Sequence, residues 1–215
     1  MRTLLATVIL SLSMSSAAMT ETVELKPLQL TKPQVTAGKP LMQVLKDRKS
    51  TRSFRNEKIP VQTLSNLLWA AFGVNRTDSG KRTAPSAVNW QEIDIYVATA
   101  DGLYLFDGQF QKLLPVLNGD IRALTGTQPY VKDAPLNLVY VADFSKIKKA
   151  ASEDKVFYSA ADTGFISENV YLFCASEGLA TVVRGSIDRS ALARVMKLRP
   201  DQKIILAQSV GYPKN

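Results

Sequence analysis

The apolar positions of this chain follow two different periods, and the change of period marks out its elements. Leu41, Val44 and Leu45 are spaced for one face of a helix, which predicts a helix over Leu41–Asp47. A second helix follows Pro60: Thr63 is placed as its N-cap, Leu64, Leu67, Leu68 and Ala71 line one face, and Gly73 stands at the C′ position. The longest helical pattern runs over residues 160–176, with Ile166, Val170, Phe173 and Cys174 on one face and Gly178 closing it. Asp188 caps a short helix carrying Leu192, Val195 and Met196, which stops before Pro200. Elsewhere the period is two. Ile93, Ile95 and Val97 alternate with Asp94 and Tyr96, the mark of a strand. Asp101-Gly102 and Asp107-Gly108 are turn signals, predicting a hairpin of residues 103–106 with 110–114. Residues 136–141 read as a central strand, and Ile204 to Ala207 begin the last one. Residues 75–92 read as a polar loop and 120–124 as a short helix. Mixed strands and helices with a hairpin place the chain in the α+β class.

Length sets the scale at one sizeable core or two small ones: there are 215 residues, 46% hydrophobic and 21% charged. Residues 1–18 have the form of a secretory signal: Arg2, an apolar run around residues 4–10, and small residues at Ser16-Ala17-Ala18. That run is short for a membrane span, so export to the periplasm without a stable membrane anchor is the expectation. Residues 19–40, with Pro27, Pro33 and Pro40, read as an extended arm, leaving 41–215 as the domain. The net charge of +8 favours anionic ligands. Aromatic and basic residues do not interleave as a nucleic-acid platform needs, so no nucleic-acid partner is expected. There is no histidine and one cysteine. A Cys/His metal site is therefore excluded, no metal ligand is assigned, and Cys174 reads as a buried small hydrophobe.

Candidate chemistry concentrates in Arg48-Lys49-Ser50-Thr51-Arg52-Ser53-Phe54. Two readings of this run stand. It is a solvated basic face at a helix end, or a set of cations and hydroxyls that holds a phosphorylated cofactor. A chain with no histidine would borrow its redox chemistry from such a cofactor.

Further motifs follow in order. Arg48 to Phe54 resembles the Arg-x-Ser-x-Arg/Lys-x-Phe opening of flavin-dependent nitroreductases. Ala84-Pro85-Ser86-Ala87-Val88-Asn89-Trp90-Gln91 resembles their Pro-Ser-Ser/Ala-x-Asn-x-Gln loop. Lys132-Asp133-Ala134-Pro135, Asn169 with Ser176-Glu177-Gly178-Leu179, and Val210-Gly211-Tyr212-Pro213 are similar to the family's later signatures. The Gly-Leu-Tyr hairpin, Gly102 to Phe106, is most similar to the SagB-type branch, whose studied members oxidise azoline rings. Two departures are visible: Glu92 follows Gln91 where the family loop often continues into proline, and Lys155 and Tyr158 are not adjacent as the azoline oxidisers' Lys-Tyr pair is.

The resemblance implies a nitroreductase-like three-layer fold, with a mostly antiparallel sheet between helices. It implies FMN bound at a homodimer interface. Arg48, Lys49, Ser50 and Arg52 would hold the phosphate, ribityl chain and pyrimidine edge, and Pro85, Ser86, Ala87 and Asn89 would reach the partner's flavin. Gln128 would lie near the isoalloxazine ring, Gly185 would bring backbone close to N5, and Lys214 would replace a C-terminal phosphate-binding residue. No protein side chain would act as catalyst; flavin N5 would carry a ping-pong hydride transfer between a small-molecule donor and acceptor. A second reading is a flavin-binding envelope protein without turnover.

Overall fold

The computed structural model describes residues 24–214; the signal-like segment lies outside the described residues. The chain runs β1 (Leu28–Gln29), α1 (Leu41–Asp47), β2 (Phe54–Arg55), α2 (Val61–Phe72), β3 (Val74–Arg76), β4 (Lys81–Arg82) and β5 (Ile93–Ala98). It continues through β6 (Gly102–Asp107), β7 (Lys112–Asn118), β8 (Leu136–Asp143), α3 (Ser152–Glu177), β9 (Ala180–Arg184), α4 (Arg189–Val195) and β10 (Gln202–Pro213).

Eight of the described strands form one sheet in the order β1-β7-β6-β5-β8-β10-β2, with β9 also on β10. Every pairing in it is antiparallel. Its centre is β8, in which every residue is buried. Alternation sorts the central side chains onto two faces. Ile93, Ile95 and Val97 of β5 and Leu136, Leu138 and Tyr140 of β8 meet α2 and α3 through Leu67, Leu68, Ile166, Val170 and Cys174. Tyr96, Ala98, Val139 and Val141 face the other way, onto Leu192 and Met196 at α4. Helix, sheet and helix make the three-layer α+β arrangement.

Several boundaries depart from the pattern. The N-cap of α2 is Pro60, not Thr63, because proline has no N–H to leave unsatisfied at a helix start and its φ suits the entry. Gly73 is extended at φ −72° and ψ 162°, so that end carries no left-handed cap. Gly178 does carry one, at φ 71°. The partner of β6 is Lys112–Asn118 and tolerates Pro115, and a two-stranded β3–β4 ribbon occupies part of the region read as loop. Residues 120–124 become a single 3₁₀ turn, Arg122–Thr125. The arm is packed: Leu30 is buried, Gln34 N–H donates to Asn66 Oδ1 at 2.9 Å, and Lys39 N–H donates to Ser176 Oγ at 2.9 Å.

Glycine 211 links three motifs that are remote in sequence. A β-carbon there would stand 2.6 Å from Pro135 Cδ and 3.2 Å from Phe54 Cδ1. The glycine lets β10 lie against the entry to β8 and against Phe54, which packs with Ala134, Ala180 and Val182. That small cluster anchors the chain immediately after the basic run.

Candidate active site

The basic run leaves α1 at Arg48 as extended chain. Thr51 N–H donates to Thr181 O of β9 at 2.9 Å, and Lys214 N–H donates to Ser53 O at 3.2 Å. The run is thus laced between β9 and the end of β10, and its side chains face outward: Lys49, Ser50 and Arg52 are exposed and Arg48 half-buried. Tyr171 of α3 organises this end. The Arg48 guanidinium lies 5.3 Å from its ring centroid, Ser50 Oγ is 2.8 Å from its hydroxyl, and Val183 N–H donates to that hydroxyl at 3.0 Å. One phenol therefore joins the basic run to β9, two residues before Gly185.

Two clefts flank the run. Arg52, Tyr130, Asp133 and Lys214 line one of about 470 Å³. Lys46, Lys49, Thr51 and Tyr171 line the other, of about 590 Å³, and Lys214 also borders it. Arg48, Lys49, Arg52 and Lys214 form no ion pair among the described residues, whereas Arg122, Lys146 and Arg199 each pair with aspartate. An uncompensated cationic surface beside a cleft favours an anionic ligand.

Gly185 is exposed, and neither its φ nor its packing demands glycine: a β-carbon would meet Leu206 and Arg189 at ordinary distances of 3.6 and 3.8 Å. Gln128 is half-buried, and its Oε1 has no hydrogen-bond partner. The 126–128 turn is tied to the turn at Gly185 by Thr127 N–H donating to Ser186 O at 3.1 Å and by a 2.7 Å contact between their hydroxyls.

Pro85, Ser86, Ala87 and Asn89 sit elsewhere, against the N-terminal half of α3. Ala87 N–H donates to Asp162 Oδ2 at 2.9 Å, and Ser86 Oγ accepts from Gln91 N–H at 2.8 Å. Val88, Asn89 and Gln91 all have positive φ, near 50°, an unfavourable region for non-glycine residues and most of all for β-branched valine. Val88 nevertheless points into solvent, at 83% exposure. Asp162 and Tyr171 are about 13 Å apart along the axis of α3 at 1.5 Å per residue. Within one chain the structure separates the 85–89 loop from the Arg48–Arg52 run.

Beneath the loop, Glu92 is fully buried. Its Oε2 accepts from Ser86 Oγ at 3.3 Å and its Oε1 has no partner. Burial, together with nearby Asp162, raises its pKa above the ordinary 4.5. A raised carboxyl binds protons more tightly in the folded state. Its stabilising contribution is therefore complete below about pH 4.5 and disappears as pH rises through the folded pKa. Glu92→Gln is expected to stabilise the protein at pH 8 and to have little effect at pH 4. Thermal denaturation at both pH values checks this; an equal change at both contradicts it.

Cys174 is fully buried, and burial pushes its thiol pKa well above the usual value, so it has no nucleophilic role. No group of three or more His, Cys, Asp or Glu suited to a metal occurs among the described residues. Tyr171, Asp162 and Arg184 are components of this region that the sequence motifs do not mark. Tyr171 looks like one more apolar helix position, and Asp162 like a solvated one. Arg184 did leave a signal, a lone cation closing the β-branched run Thr181-Val182-Val183.

The fold and site define a class: a three-layer α+β protein with a cationic, cofactor-sized cleft at one end of its sheet. The nitroreductase family profile matches residues 45–212, and the chain belongs to that family. A solved protein from Ralstonia eutropha JMP134, assigned as a nitroreductase, superposes with a TM-score of 0.85 at 43% identity, covering 89% of this chain and 91% of that one. A protein of Methanocaldococcus jannaschii, also assigned as a nitroreductase, is 27% identical over 74% of this chain and 85% of its own. An FMN reductase [NAD(P)H] of Bacillus subtilis is 24% identical, over 66% of this chain and 53% of its own length.

Proposed function

We propose that the protein is an FMN-dependent oxidoreductase that works as a homodimer. The observation that carries this reading is the cationic set Arg48, Lys49, Arg52 and Lys214, which forms no ion pair among the described residues and is joined through Ser50 and Tyr171 to the strand that ends at Arg184, just before Gly185. The residues fit the cofactor. Arginine forks and hydroxyls suit a phosphate and a ribityl chain, and a glycine that the fold does not require suits close approach of a flat ring. Similarity to a flavin reductase supports the same cofactor. When bound, FMN would supply two-electron transfer at N5, in ping-pong between donor and acceptor. The protein would supply position and charge: Arg48 and Arg52 would neutralise the phosphate, and Tyr171 fixes Ser50.

The homodimer is supported by the separation of the 85–89 loop from the basic run and by the outward face of α3. Phe157 is 67% exposed and Phe165 50%, with Ala160 and Gly164 between them. Exposed aromatics beside small residues are suited to helix packing against a second copy. The Gly102–Phe106 hairpin supports placement nearest the SagB-type branch. Lys155 lies over Phe144, 6.0 Å from its ring centroid, and Tyr158 packs edge-on to Trp90 at 5.8 Å, so the pair is engaged elsewhere and azoline oxidation is not assigned.

The export reading rests on residues 1–18 and implies an electron donor available in the periplasm. No described helix is long and apolar enough to cross a membrane. To test turnover, dithionite or NADH is added to FMN-loaded protein, followed by oxygen or a nitroaromatic. Bleaching and catalytic reoxidation support the oxidoreductase; reduction without acceptor turnover supports the alternative, a flavin-binding protein without catalysis.

A further inference from the structure

Arg184 is a buried cation for which the described chain supplies no counterion. It closes β9 one residue before Gly185 and is 6% exposed. Nη1 donates to Ser209 Oγ at 2.8 Å. Nη2 donates to Thr125 O at 3.1 Å, to Thr125 Oγ1 at 2.9 Å and to Asn137 Oδ1 at 3.0 Å. All four acceptors are neutral, and no carboxylate pairs with it among the described residues. Nε has no partner at all. Burial lowers its pKa to about 10, so the guanidinium remains charged at neutral pH.

A buried, unpaired charge is costly, and neutral hydrogen bonds offset that cost only in part. Its surroundings point toward the proposed cofactor. Gly126 packs directly against Arg184 Nε and lies near Gln128 Oε1, the other partnerless polar atom of this region, and a β-carbon at 126 would collide with the guanidinium. The turn at 126–128 is fastened to the turn at 185–186 through Thr127 and Ser186. Arg184 therefore lies directly behind the two turns that present Gly185 and Gln128.

We propose that the missing counter-charge is the reduced cofactor, and that Arg184 is a positioning residue that raises the reduction potential of bound FMN. This rests on the FMN reading above. Two electrons and one proton convert neutral oxidised isoalloxazine into the reduced anion, and a fixed cation in a low-dielectric setting favours the anion over the neutral ring. Unlike Arg48 and Arg52, Arg184 is enclosed by protein. It discriminates between redox states and contributes little to holding the oxidised cofactor.

The test is a spectroelectrochemical titration of FMN-loaded wild type, Arg184→Gln, Arg184→Lys and Asn137→Asp, with the affinity for oxidised FMN measured by fluorescence quenching. Arg184→Gln removes the charge. Asn137→Asp keeps the arginine and places a carboxylate against it, so it carries the test if the glutamine variant does not fold. Both are expected to lower the affinity for reduced relative to oxidised FMN about tenfold, equivalent to about 30 mV for a two-electron couple. Arg184→Lys is expected to retain most of the wild-type ratio, and affinity for oxidised FMN is expected to change less than threefold. Ratios within twofold of wild type in both Arg184→Gln and Asn137→Asp overturn the proposal while leaving the FMN reading intact. A wild type that takes up no FMN overturns the FMN reading itself, and this inference with it.

Discussion

Replacing Arg48 and Arg52 together with alanine is expected to weaken FMN binding at least about 100-fold. A charge-assisted hydrogen bond to phosphate contributes about 1.5–3 kcal/mol, and each 1.4 kcal/mol is tenfold in affinity. Neither arginine is engaged in an ion pair among the described residues, so their removal strands no buried carboxylate. The melting temperature of the apoprotein is therefore expected to stay within a few degrees of wild type while cofactor affinity falls. Arg48→Lys is expected to fall between, because an ammonium keeps the charge but loses the planar fork and the contact with the Tyr171 ring. Fluorescence titration of FMN into each apoprotein measures the effect. Unchanged affinity in the double variant would return the run to its plainer reading as a solvated basic face.

A Phe157→Glu, Phe165→Glu variant is expected to be a folded monomer that binds FMN at least tenfold more weakly than wild type. Both side chains are exposed in the single chain, so the substitutions leave the core shared by α3 and the sheet untouched. Like charges facing each other across a two-fold interface would oppose association. Cofactor affinity would fall as well, because the 85–89 loop serves the partner's flavin in this account and Asp162 holds it well away from Tyr171. Light scattering and flavin titration on the same sample read both outcomes. A monomeric variant that binds FMN as tightly as wild type would place the complete site within one chain.

The fold was legible where apolar periodicity and burial agree. Ile93, Ile95 and Val97 declared β5, and the run from Leu136 announced the strand buried on both faces. Where tertiary pairing rather than pattern decides, the sequence is silent. Phe54–Arg55 is a strand only because Tyr212 and Pro213 lie beside it, and Ala180–Arg184 is too short to stand apart from the helix exit before it. Thr63 was a reasonable cap by residue type, but Pro60 starts the helix a turn earlier.

The site divides in the same way. Arg48, Ser50 and Arg52 stand out because cations and hydroxyls crowd into one short segment. Tyr171 and Asp162 occupy helical positions that any core or surface residue could fill, and only the packed structure shows the hydroxyl on Ser50 and the carboxylate on the loop. Gly211 shows why separate motifs occur together: Pro135 and Phe54 both require the space a side chain there would take.

The most direct test of the account is the absorbance spectrum of the protein, expressed without residues 1–18, purified with FMN supplied and freed of unbound flavin. Flavin bands corresponding to one FMN per chain are the expected result. A colourless protein that cannot be reconstituted would contradict it, leaving a nitroreductase fold that no longer carries flavin chemistry.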